Sequence, residues 1–191
     1  MKEVFGEYRE KTGSTEFLIM SFSSQTLPIK DRWRNSGLSA NYLADYWGTF
    51  FPVHSKSAVN EVQDAVSFIS NELLENALKF SQETDVSTIR ISLYLFDDCL
   101  QFYVTNPIST TTAESFKAFL HRILKEDTHE LYLALLEDRD QDSGLESRLG
   151  FLTILNDYGA KMGWKFETPN QPSDTIIVTT MVQLRVMRTK Q

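Results

Sequence analysis

Asn71-Glu72-Leu73-Leu74-Glu75-Asn76-Ala77-Leu78-Lys79-Phe80 sets a Glu, an Asn and a Lys at helical spacing inside an apolar stripe. Upstream and through it, Val59, Val62, Val66, Ile69, Leu73, Asn76 and Phe80 recur at steps of three and four, so one helix face is apolar except at Asn76. A polar side chain on such a face requires partners. Glu72 precedes Asn76 by four residues and Lys79 follows it by three, which projects all three from one side of the helix, within reach of one ligand. Two readings are open: an amphipathic helix whose Asn76 satisfies a buried backbone group, or one wall of a ligand pocket.

Downstream, Ile89, Ile91, Leu93 and Leu95 alternate with polar or aromatic residues, Asp97-Asp98 turns the chain, and Leu100, Phe102 and Val104 resume the alternation. This pattern predicts a β-hairpin. Its parity puts Asn106 on the buried face at the strand end, and Pro107 is expected to stop pairing there. A helix is expected over Ala113–Leu124, and Asp127-x-x-Glu130 has the form of a capping box that opens another, running to about Glu137. Glu137 to Gly144 is a polar, acidic stretch that reads as a mobile loop and gate. A further helix spans the region from Leu149-Gly150 to Tyr158, and Lys161–Glu167 reads as a strand. In the last strand Ile176, Val178, Thr180, Val182, Leu184 and Val186 share a face, so Thr180 is the hydroxyl turned to the core. It either bonds a neighbouring strand or meets a ligand.

The first fifty-odd residues predict a strand over Phe17–Phe22 and a helix N-capped by Ser39, running through Tyr42, Leu43, Tyr46, Trp47 and Phe50. Core packing is the expectation for Tyr46, Trp47 and Phe50. Arg32-Trp33-Arg34 has residue types enriched at binding hot spots, and packing or docking is open there.

The spacing E-x-x-x-N-A-x-K-F at Glu72, Asn76, Lys79 and Phe80 resembles the N box of the GHKL superfamily of Bergerat-fold ATPases, which includes histidine-kinase catalytic domains and anti-sigma serine kinases. The resemblance covers about residues 58–187. It implies an α/β two-layer sandwich of the α+β type: a mixed, mainly antiparallel sheet with helices on one face. It also implies bound ATP or ADP with Mg²⁺, with Asn76 on the metal, Lys79 on phosphate and Glu72 as base. In the family an Asp on the hairpin's second strand accepts from the adenine amino group. Here the segment reads Thr105-Asn106-Pro107-Ile108-Ser109, without Asp or glycine, so Asn106 would serve as a weaker acceptor. Leu149 and Gly150 resemble the phosphate-binding turn before a helix, of which Gly144 and Gly150 survive while Glu146, Ser147 and Arg148 depart from glycine. Arg148 either replaces missing backbone donors or is a surface cation. Thr180 matches the family's adenine-bonding Thr.

Composition predicts one domain over 1–191, within which the resemblance implies 58–187 as the nucleotide-binding core and leaves 1–57 as an N-terminal extension. At 41% hydrophobic, the chain shows no linker-like segment, repeat or run approaching the ~18 apolar residues that span a bilayer. With one cysteine, Cys99, no intrachain disulfide forms, and a cytoplasmic location is expected. A net charge of −7 disfavours nucleic acid and makes a protein the expected partner.

None of the three histidines sits in a phosphoacceptor context, which sets a self-contained histidine kinase aside. The resemblance instead implies the anti-sigma, serine-kinase branch, with an antagonist-like or sigma-factor-like partner and homodimerisation open. In general appearance the chain is also similar to stand-alone cyanobacterial regulators of this type. Three functions follow: a module whose partner binding is gated by nucleotide with Mg²⁺, an active serine/threonine kinase, and a scaffold that has lost nucleotide.

Overall fold

A computed structural model describes residues 2–14, 16–23, 29–51, 56–81, 88–137, 145–169 and 174–186, with side chains in the first, second and fifth helices described from 37, 59 and 148 onward. The elements run β1 (Lys2–Gly6), β2 (Glu16–Ser23), α1 (Ile29–Gly48), α2 (Lys56–Phe80), β3 (Thr88–Leu95), β4 (Cys99–Ser109), α3 (Thr110–Lys125), α4 (Thr128–Glu137), α5 (Leu145–Asn156), β5 (Lys161–Glu167) and β6 (Thr175–Arg185). The six strands form one sheet in the order β1-β5-β6-β4-β3-β2. Every ladder among the described residues is antiparallel, in keeping with the mainly antiparallel sheet expected. The result is a two-layer α+β fold.

Period-two alternation divides the sheet into two faces. One carries Leu93, Phe102, Val104, Trp164 and Val182, and the helices pack on it, α2 against β3 and β4 and α3 against β4 and β6. The stripe of α2 is spent here, with Val66, Ile69 and Leu73 buried. The aromatic helix also packs inward, with Trp47 fully buried, Tyr46 and Phe50 ringed against it, and α1 lying along α2.

Three local expectations are corrected. Ser39 does not cap a helix: α1 begins at Ile29, and Ser39 lies buried within it. Serine loses little inside a helix when packing sets the helix's length. Trp33 falls in the part of α1 whose side chains are outside the described residues. Pro107 does not end β4, which stays paired with β6 as far as Ser109↔Thr175. Only the β3 ladder stops, at Arg90↔Thr105, and the Pro107 carbonyl accepts from Ser81 Oγ at 3.3 Å. The missing N–H thus lies on the side where no strand needs it. The helix expected from Ala113 begins at Thr110, because Ser109 caps it by accepting from the Thr112 N–H at 3.1 Å. Asp127 does cap α4, its Oδ1 accepting from the His129 and Glu130 N–H groups.

The other face of the sheet is crossed by residues 7–14, which join the two edge strands. Ile19, Ser92, Tyr103, Met181, Gly163 and Gly6 lie in register in one row across all six strands. The strap follows this row. Tyr8 passes over Gly163, the Tyr103 hydroxyl lies 2.9 Å from the Arg9 carbonyl, Lys11 Nζ donates to Ser92 Oγ at 3.0 Å, and Ser14 Oγ donates to the Leu95 carbonyl. Lys11 Nζ also sits 4.8 Å from the Tyr103 ring centroid, a cation–π distance.

Burial under the strap, reinforced by Glu10, pushes the hydroxyl pKa values of Tyr8 and Tyr103 well above their ordinary 10.0. A raised folded value contributes stability that is complete below the unfolded pKa and lost as the pH climbs through the folded one. Lys11 has the opposite sign. Burial lowers its pKa from 10.5, so its charged-state penalty disappears as the pH approaches that value. The Lys11 gain is complete near pH 10.5, whereas the tyrosine loss begins near their unfolded value of 10.0, so urea midpoints should fall as the pH rises beyond about 10, and Tyr103→Phe should flatten the fall. An unchanged slope in that variant would refute the assignment.

Candidate functional site

Between the helical layer and the sheet lies a cavity of about 390 Å³, within the size range of small-molecule sites. α2 contributes Asn76 and Phe80, β4 contributes Asn106, and β6 contributes Thr180. From α3 come Thr112, Ser115, Phe116 and Phe119, and from α5 Arg148 and Phe151. The hairpin and last-strand parities thus bring Asn106 and Thr180 to the same space as the polar break in the α2 stripe.

Asn76 is 8% exposed, and its Nδ2 is buried without a hydrogen-bond partner among the described residues. An unpaired amide N–H costs about 1–3 kcal/mol, so Asn76 is held on this wall at a cost to the fold. Asn106 is 5% exposed, and its Nδ2 points to the Pro107 carbonyl at 3.5 Å. That orientation leaves Oδ1 as the amide's acceptor for a ligand. One edge of the site therefore carries two amides from two adjacent walls.

Aromatic rings shape the remainder. Phe116 stacks on Phe151 with centroids 5.8 Å apart, backed by Trp164, and the Arg148 guanidinium lies 5.5 Å from the Phe119 centroid. The surface-cation reading of Arg148 gives way here: the residue lines the cavity. Sequence reasoning did not find Phe116, Phe119 or Phe151. The available signal was the four-then-three spacing of Thr112, Phe116 and Phe119, a helix face turned to one target.

Glu72 and Lys79 do not line the cavity with Asn76. The Glu72 carboxylate lies against α5 at Gly150, where a Cβ would overlap it. Lys79 is half-buried, with Nζ 5.6 Å from the Phe80 centroid. Leu149 and Gly150 are inside α5, which begins at Leu145, so their N–H groups belong to the intrahelical ladder and not to the free first turn. The expected gate falls on 138–144, outside the described residues, as does Gly144.

These placements test the implied group. A purine ring and its sugar fit the lining: flat aromatic walls, two amides and a hydroxyl. A Mg²⁺ polyphosphate does not. Among the described residues Arg148 is the one charged side chain on the cavity wall, and no cluster of three or more His, Cys, Asp or Glu could hold a metal. No helix among the described residues is long and apolar enough to cross a membrane.

No protein-family model and no curated protein matches the chain. Among solved structures it is similar to a chain of the SiaB-SiaC complex from Pseudomonas aeruginosa, at 14% identity over 86% of this chain and 89% of that one, with a TM-score of 0.55. At that identity the likeness establishes a shared fold.

Proposed function

We propose that the protein is a signalling regulator whose binding to a protein partner is gated by an adenine nucleotide in the α2–α3–α5 cavity. The observation that carries the reading is a preformed cavity walled by Phe80, Phe116, Phe119 and Phe151, with the buried amides of Asn76 and Asn106 in its lining. The structural neighbour is a chain of a two-protein complex, which supports a protein partner here. Cytoplasmic signalling of the anti-sigma, partner-switching type is the setting we propose.

Gating has a physical route. One face of α3 lines the cavity, while Leu124 on α3 and Leu133 on α4 stand 49% and 47% exposed. α4 is tied to α5 by the Thr128 hydroxyl on Asn156 Oδ1 at 2.5 Å and by Asn156 Nδ2 on the Thr128 carbonyl at 3.2 Å. A ligand seated against α3 and α5 therefore shifts the elements that present those leucines. The placement of Glu72 against α5, away from the cavity wall, favours binding without phosphoryl transfer over the kinase reading.

The test is amide hydrogen exchange of the full chain with and without saturating ADP. Slower exchange in α3 and α4 is expected. Saturable binding that leaves both helices unchanged would overturn gating.

A further inference from the structure

We infer that the cavity selects a planar heteroaromatic ligand bearing a single acidic group, such as a nucleoside monophosphate, and discriminates against a magnesium polyphosphate. This rests on the nucleotide reading above and narrows it.

Shape and charge carry the inference together. Phe80, Phe116, Phe119 and Phe151 supply flat apolar walls, against which a heterocycle buries its faces. The amides of Asn76 and Asn106, both in the lining, then meet its edge, and an amide's donor and acceptor ends match a ring nitrogen beside an amino group. Arg148 is the cavity's charged side chain among the described residues, and its planar fork suits one phosphate or carboxylate, held bidentately. A phosphate monoester brings about −1.5 to −2 charges at neutral pH, which one guanidinium and the aqueous mouth can accommodate.

Among the described residues beside the cavity, a longer phosphate chain meets opposition. Lys79, the cation expected to receive it, sits beside the Phe80 ring and off the cavity wall. One turn up α2 from Asn76, the seam between α2 and α5 is filled by the Glu72 carboxylate against Gly150, a like charge for any phosphate extended along it. The backbone at Leu149 and Gly150 is committed to the α5 ladder and offers no anion nest. The chain's overall charge of −7 adds to the penalty on a highly charged ligand.

The experiment is calorimetric titration of the full chain with adenosine, AMP, ADP and ATP, each with and without Mg²⁺. AMP should bind most tightly, and Mg²⁺ should not strengthen any of the four. Arg148→Met, which keeps the aliphatic stem over Phe119, should reduce AMP affinity about tenfold and leave adenosine affinity within about twofold, the loss of one charge-assisted pair. The thermal midpoint of the variant reports whether it folds, and Arg148→Gln provides a second variant with the charge removed. Tightest binding by ATP with Mg²⁺ would overturn the single-acid inference and leave the nucleotide reading standing. No binding by any of the four would overturn both.

Discussion

Gly163→Ala should destabilise the protein by about 2–3 kcal/mol, and Gly163→Val by more, because the strap backbone occupies the space a side chain would need. A Cβ at Gly163 would overlap the Tyr8 backbone nitrogen and Cα and lie 2.8 Å from the Glu7 carbonyl carbon. Those are main-chain atoms, so no rotamer change relieves the overlap and the strap must lift. Lifting it exposes Tyr103, which is fully buried, and separates Lys11 from Ser92 and Arg9 from the Tyr103 hydroxyl. Gly159→Ala is the control. Gly159 has φ +56 with open space around it, so its cost is the left-handed backbone alone, about 1 kcal/mol. Urea unfolding of the three proteins separates the effects. Equal losses at positions 159 and 163 would mean that the crossing of Tyr8 over β5 is not close in solution.

Asn76→Leu should leave the apo protein as stable as its parent, or about 1 kcal/mol more so, while abolishing nucleotide binding. The parent buries an N–H without a partner, and leucine removes that penalty while adding apolar contact beside Leu73 and Phe80. Most buried substitutions destabilise, so opposite signs for stability and binding mark a residue held for its ligand. Thermal unfolding without ligand and calorimetry with AMP give the two readings. A loss of more than about 1 kcal/mol would mean that Asn76 has a structural partner, and unchanged AMP affinity would remove it from the site.

Much of the helical face of the sheet was legible in the chain. The α2 stripe, the β3–β4 hairpin and the parity of β6 are local periodicities, and the burial of Leu73, Phe102 and Val182 follows from them. Asn106 and Thr180 could be placed on the buried face by counting, because a strand's side-chain period is two. Glu72 and Lys79 show where counting ends. Helical spacing puts them on the side of Asn76, but the cavity meets α2 along Leu73, Asn76, Ala77 and Phe80, and α5 packs over Glu72. Leu149-Gly150 has the look of a glycine turn until α5 is seen to start four residues earlier, at Leu145. Pro107 was read as a stop because a sequence does not say which of two neighbouring strands its missing N–H would have served.

The sequence by itself determined the order of the elements after β1, the apolar face of α2 and of the β3–β4 and β6 strands, and the position of one polar residue, Asn76, inside a stripe. Those depend on contacts a few residues apart, and amphipathic period alone encodes them. The tertiary structure decided the rest. It brought Phe116, Phe119, Arg148 and Phe151 to the cavity from α3 and α5, and it passed residues 7–14 across six strands along a row that ends in Gly163 and Gly6. Both outcomes follow from which distant surfaces meet. That choice minimises exposed apolar area over the whole chain and leaves little trace in any one segment of it.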